Sequence, residues 1–220
     1  MDDFFGVYWD IQKYKNCRDK VTVHGKYKRF SPLVDIDNPS ETHRLWLKIA
    51  RGKNSILDCG AGDLRLKDYL LRNGYKGRYK TFDIGKSFCY DYDSLETVQE
   101  SFDLIFCLEV IEHLPLEKAF ALLERLKGIL TDKGVLVLST PNIHHLNHFW
   151  RTDVTHVRPY PYEDLLAMIF YLGFSSVELY RIVWWRENTL AYSLRFLMKR
   201  FLTFVLETDY ATNIAMICQK

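Results

Sequence analysis

The sequence contains no uninterrupted apolar run near the roughly 20 residues a membrane span needs. Its five cysteines, Cys17, Cys59, Cys89, Cys107 and Cys218, form no C-x-x-C pair. This argues against a disulfide framework or a cysteine-rich zinc site, and a reduced intracellular compartment fits best. Net charge is almost absent at +2, so no global electrostatic attraction draws the chain to nucleic acid. The opening residues, Met1-Asp2-Asp3-Phe4-Phe5, are acidic and lack the apolar centre of an export signal. Internal repeats and low-complexity tracts are missing too. What remains is globular in character: 220 residues, 48% hydrophobic and 26% charged, enough for one sizeable domain with decoration.

The most informative stretch is Asn54 to Asp63, N-S-I-L-D-C-G-A-G-D. Ser55, Ile56 and Leu57 read as a short buried parallel strand with Asp58 at its end. Gly60 and Gly62 make a tight turn that lets backbone approach a ligand closely. Leu64, Leu66, Leu70 and Leu71 then follow a helical period. About 25 residues on, Thr81-Phe82-Asp83-Ile84 reads as a second strand ending in an acid able to accept from both ribose hydroxyls. Strand, glycine turn and helix open a nucleotide-binding α/β domain. The dinucleotide fingerprint G-x-G-x-x-G is incomplete, because Arg65 stands at its third glycine. An acid inside the strand end instead suits a ligand with an ammonium group. From about Ser55 to Phe174 the chain resembles the class I S-adenosylmethionine-dependent methyltransferases.

That resemblance implies a doubly wound, mostly parallel α/β sheet of six to seven strands with an antiparallel last strand. It implies S-adenosylmethionine as cofactor, held by Asp58, Gly60, Gly62, Asp83, Asp91, Cys107 and Glu109. Residues 1–52 form an extension and lead-in helix, 53–183 the cofactor-binding core, 184–210 a helical insertion and 211–220 the last strand of one domain. The first 37 residues hold Phe4, Phe5, Tyr8, Trp9, Tyr14 and a basic run, Lys26 to Arg29, read as a solvated loop or a lid. Asn38 as N-cap, Pro39 at the first helical position and Glu41 at the third start a helix ending at Gly52. Only about twenty residues separate Asp83 from the strand Phe102–Cys107, too few for the family's helix and strand at full length. Phe88 to Leu95 therefore reads as a shortened third strand or an extended loop, with Asp91 placed beside the adenine by the resemblance. A helix from Pro115 to Leu130, a turn at Asp132-Lys133-Gly134 and a strand Val135–Ser139 follow. After them come a helix Tyr162–Leu172, a strand Val177–Val183 and a last strand Asn213–Cys218.

Candidate chemistry clusters after the fourth strand, in Glu109-Val110-Ile111-Glu112-His113. Histidine, with an ordinary pKa of about 6.5, is a natural base for an acceptor hydroxyl. His113 and His156 are the candidate catalytic residues, and the alternative is that His113 only caps or packs the next helix. Glu109, Glu112, His113 and His156 also resemble the metal site of small-RNA 3′-end 2′-O-methyltransferases and of quinone-biosynthesis O-methyltransferases. On that reading they hold a divalent ion that lowers the pKa of the acceptor. The loop Asp153–Tyr160 faces the acceptor or is a surface turn docked by Tyr160. The leading expectation is a cytoplasmic enzyme that O-methylates a small-molecule, sugar or lipid-linked acceptor. Its rivals are an RNA 3′-end methyltransferase, which should carry a strong basic face, and a silent binding module. Within 184–206, Leu190, Leu194, Leu197, Phe201 and Val205 form an apolar seam with Trp184 and Trp185 before it. Peripheral membrane contact or a homodimer is expected through this segment.

Overall fold

A computed structural model describes residues 18–28, 40–145, 153–183 and 211–220, with residues 10, 11, 14, 194, 197, 198, 201, 202, 205 and 209. Seven strands form one sheet: β1 Val21–Lys28, β2 Ser55–Cys59, β3 Arg78–Phe82, β4 Phe102–Leu108, β5 Leu130–Pro141, β6 Ser176–Val183 and β7 Asn213–Gln219. Their spatial order is β1-β6-β7-β5-β4-β2-β3. Every pairing is parallel except those of β7 with β5 and β6, so the last strand is antiparallel as expected.

Side-chain alternation along the central strands divides the core in two. Leu57, Ile105, Leu136 and Leu138 face one side of the sheet, where they meet helices α3 Leu116–Gly128 and α4 Tyr162–Tyr171. Ile56, Leu104, Phe106, Val135 and Val137 face the other side, with helices α1 Glu41–Ala50 and α2 Arg65–Arg72. A parallel sheet covered on both faces keeps nearly all its strand residues out of water, hence the continuous apolar runs.

Several expectations are corrected at element ends. Ser40 caps α1: its hydroxyl accepts from the His43 amide at 3.2 Å and pairs with His43 Nδ1 at 2.6 Å. Asn38 and Pro39 lie outside the described residues. The expected turn at Asp132-Lys133-Gly134 is a bulge inside β5, because pairing with β4 jumps from Phe102↔Leu130 to Leu104↔Val135. The shortened third strand survives as one bridge, Phe82↔Tyr92. The basic run near the N-terminus lies partly in β1, an edge strand pairing with β6, where His24 stacks on Tyr180 at 4.4 Å.

The chain leaves β2 for β3 on one side and returns to β4 on the other. The turn after β2 therefore sits where strand order reverses, at the carboxyl edge of the sheet, where a cleft opens for ligands.

Candidate active site

The glycine turn is tied to its neighbouring strand by backbone. Gly60 and Ala61 donate to the Phe82 carbonyl at 2.8 and 3.1 Å. Both glycines have positive φ, 81° at Gly60 and 50° at Gly62, which L side chains adopt at a cost. They differ in surroundings. A Cβ on Gly60 would lie 2.3 Å from the Val110 side chain, whereas one on Gly62 meets nothing within 4 Å. Gly60 is therefore needed for packing on the segment after β4, and Gly62 leaves open space beside the turn.

Asp83 accepts from the Gly62 amide at 2.8 Å and the Gly85 amide at 2.7 Å, so its carboxylate is held at the mouth of the turn. Next to it Ile84 is 87% exposed, an apolar surface that the sequence pattern did not single out. Tyr90 reaches back, its hydroxyl donating to the Gly62 carbonyl at 2.7 Å.

Asp58 is buried on β2 and accepts from the Tyr79 hydroxyl at 2.8 Å. Burial pushes its pKa up to about 7; Tyr79 and Lys67 oppose that rise and the Asp83 charge adds to it. A buried carboxylate kept partly protonated, beside an open glycine turn, is one that an arriving ammonium group would ionise. The turn thus fits the amino acid end of S-adenosylmethionine, and Asp83 fits its ribose.

Three expected cofactor residues, Asp91, Cys107 and Glu109, also have places of their own within the fold. Asp91 accepts from the Thr81 amide at 3.0 Å and hydroxyl at 2.9 Å, and pairs with Lys80 at 2.9 Å. Its carboxylate fastens the shortened segment to the edge of β3. Cys107 is fully buried opposite Cys59 in the β2–β4 pairing, so its thiol belongs to the core.

The second half of the site is built after β4. Glu109 has φ 54°, a strained value for a residue with a side chain. Its carboxylate accepts from the Ser139 hydroxyl at 2.6 Å and the Asn213 amide at 2.7 Å, linking β4, β5 and β7. Ile111 to His113 then form a single 3₁₀ turn, and His113 does not cap α3, whose N-cap is Pro115. His113 Nδ1 meets the Thr155 hydroxyl at 3.0 Å and carbonyl at 3.1 Å. The loop 153–160 is docked onto this turn. Val157 and Arg158 donate to the Glu112 carbonyl, and the buried Tyr160 donates to the Leu114 carbonyl. The docked loop brings His156 to His113, with ring centroids 4.9 Å apart.

Glu112 is buried. One carboxylate oxygen accepts from the Thr140 hydroxyl at 3.1 Å, and the other, Oε1, faces no donor. Burial, and then the neighbouring Glu109 charge, push the Glu112 pKa up; Glu109 is raised as well, chiefly by desolvation. Such a pair holds a proton between its members or takes a cation. Ligand atoms of Glu112, His113 and His156 lie within 4.8 Å of one another. Of the four expected metal ligands these three converge, while Glu109 stands outside the group, its oxygens turned to Ser139 and Asn213.

A model of the methyltransferase domain family matches residues 33–179. The fold is similar to a SAM-dependent methyltransferase from Archaeoglobus fulgidus, at 20% identity and TM-score 0.65, covering 81% of this chain and 91% of that one. It is also similar to a putative methyltransferase from Bacillus halodurans, at 14% identity and TM-score 0.54, over 81% and 98% of the two chains. A magnesium protoporphyrin IX methyltransferase from Synechocystis with bound SAM shares 16% identity at TM-score 0.50, over 84% and 77%. No curated protein matches.

Proposed function

Since the chain belongs to the methyltransferase domain family, and its enzymes' cofactor is S-adenosylmethionine, we propose that it methylates an oxygen of a small-molecule, sugar or lipid-linked acceptor. The observation that carries this reading is the convergence of Glu112, His113 and His156 at the same sheet edge as the glycine turn. An oxygen acceptor needs a group to take its proton, and imidazole is suited to that at neutral pH. When bound, S-adenosylmethionine supplies a methyl group already activated by its sulfonium.

The chain's own residues divide the remaining work. With the cofactor bound, Asp83 would accept from ribose hydroxyls, Asp58 would favour the ammonium, and the exposed Ile84 would offer an apolar surface to the base. Thr155 fixes the His113 ring through Nδ1, which leaves Nε2 to serve as the base. Val154 at 99% and Val157 at 61% exposure flank His156, so the acceptor side has apolar surface beside its imidazoles. This composition supports an acceptor with an apolar portion over a bare polyanion. Should a divalent ion bind, Glu112, His113 and His156 would hold it, and it would acidify the acceptor hydroxyl.

The test is methyl transfer from labelled cofactor across phenols, quinol precursors, glycans, lipid-linked sugars and RNA. His113→Ala and His156→Ala should each lower turnover roughly 100-fold while leaving cofactor affinity intact. Asp83→Ala should do the reverse, losing roughly 100-fold in cofactor affinity. Activity that survives both histidine substitutions would overturn the assignment. Loss of activity in EDTA, restored by Mg²⁺ or Mn²⁺, selects the metal; full activity in EDTA selects the histidine base.

A further inference from the structure

The connection between β6 and β7 carries a feature that methyl transfer leaves unexplained. Residues 194, 197, 198, 201, 202 and 205 are helical. They are Leu194, Leu197, Met198, Phe201, Leu202 and Val205, a spacing of three and four that puts all six on one helix face. Every one is exposed, with Leu194 at 63%, Leu197 at 60% and Phe201 at 67%. A helix lying on a soluble core turns such a face inward, and scattered single exposed apolar residues would not align this way.

Charge indicates what covers the stripe. The stretch 184–206 holds Arg186, Arg195, Lys199 and Arg200 against one acid, Glu187, in a chain whose net charge is only +2. Trp184 and Trp185 open it, residues whose apolar body and polar N–H suit a headgroup boundary. An interface between copies would set these cations against each other, whereas an anionic lipid surface complements them.

Position ties the stripe to the site. β6 runs parallel to the central strands, so its end at Val183 and the start of β7 at Asn213 share the carboxyl edge with the glycine turn. Asn213 itself donates to Glu109. We infer that the face formed by Leu194, Leu197, Met198, Phe201, Leu202 and Val205 docks on an anionic membrane surface, which sets the opening of the active site at the lipid headgroups. No helix among the described residues is long and apolar enough to cross a membrane. A short amphipathic helix with few cations binds weakly and reversibly.

The test is flotation of the full chain with vesicles of equal parts phosphatidylcholine and phosphatidylglycerol, against vesicles of phosphatidylcholine alone. The protein should float with the anionic vesicles at low salt and be released as salt rises, because surface attraction is screened over about 8 Å at physiological ionic strength. Leu197→Glu with Phe201→Glu should reduce the floating fraction about tenfold or more. Both positions are exposed, so cofactor affinity and the circular dichroism spectrum should not change, which separates lost docking from lost folding. Equal flotation on both vesicle types would overturn the electrostatic part. A protein that ignores both, or a dimer by light scattering that the double substitution dissociates, would overturn the membrane assignment.

Discussion

Two glycines a residue apart in the turn have different duties, and only their surroundings tell them apart. The sequence reading gave both to the ligand. In the fold, Gly60 is held against Val110, with no room for a Cβ, while Gly62 borders open space. Both would strain an alanine, at a cost of roughly 1–2 kcal/mol for the left-handed conformation. Gly60→Ala should add the collision with Val110 to that, lowering the melting temperature well below that of Gly62→Ala. Gly62→Ala should instead lose cofactor affinity more than stability. Val110→Ala placed in the Gly60→Ala background should recover part of the lost stability. Equal melting temperatures for the two single variants would show that Val110 does not set the requirement.

At the scale of elements, the informative case is the short passage from β3 to β4. The family's helix and strand are replaced by an extended segment touching β3 at one bridge, Phe82↔Tyr92. So little strand pairing needs other fastenings. Asp91 supplies one, and Leu95 and Val98 bury their side chains in the core beneath α3. Arg125 of α3 supplies the third, donating to the Leu95 carbonyl at 2.8 and 3.1 Å and to the Val98 carbonyl at 2.5 Å. Arg125→Ala should therefore destabilise the protein by roughly 1–3 kcal/mol, the range for charged hydrogen bonds to backbone. Cleavage by protease should concentrate between 84 and 101, and Arg125→Lys should restore only part of the loss because it lacks the fork. Unfolding in urea indistinguishable from the parent would show the passage to be held by its apolar contacts alone.

The same passage shows what could be read in advance. Its shortness is a matter of residue number between two evident strands, and counting suffices. That Asp91 fastens its segment to β3 depends on Thr81 and Lys80 lying across a bridge, which no spacing rule states. The strands Ser55–Cys59 and Phe102–Leu108 were legible because burial on both faces leaves continuous apolar runs. β1 was not, because an edge strand has little to bury: Val23 is 58% exposed, and nothing in V-T-V-H-G-K-Y-K separates it from a loop. His113 and His156 were legible as chemistry, 43 positions apart, from residue type alone. Their meeting depends on the docking of Tyr160 on Leu114, which was one of two readings for that loop. Asn213 and Ser139, which hold Glu109, lie on two strands distant in sequence, and no local pattern signals them.

For the whole molecule, the acids buried at the sheet edge set how stability responds to pH. Asp58 is raised from its ordinary value of 3.8 to about 7, and Glu109 and Glu112 are raised with it. Between the unfolded and folded values of such a group the folded chain binds more protons, so stability falls as pH rises. His43 acts in the opposite sense: burial lowers it from 6.5 to about 4, and in that window stability rises with pH. Asp63 and Asp91 are lowered, Asp63 chiefly by its hydrogen bond with Arg65 and Asp91 by Lys80 and Thr81 against the effect of burial. Their stabilisation is present above the ordinary carboxylate range and fades in stronger acid. Above about pH 6.5 the shifted groups that titrate are the raised carboxyls and, toward pH 9, the buried Cys107 and Cys218 thiols, also raised, so the melting temperature should decline from mildly acidic toward alkaline solution. Glu112→Gln removes one member of the coupled pair and should flatten that decline, because Glu109 then ionises without a like charge beside it. Added S-adenosylmethionine should flatten it further near pH 7, since the cofactor's ammonium favours the ionised form of Asp58. Melting curves from about pH 5 to 9, with and without cofactor, check both effects. A melting temperature that climbs steadily across that range would mean that these carboxylates are solvated in the folded protein and that the sheet edge is open to water.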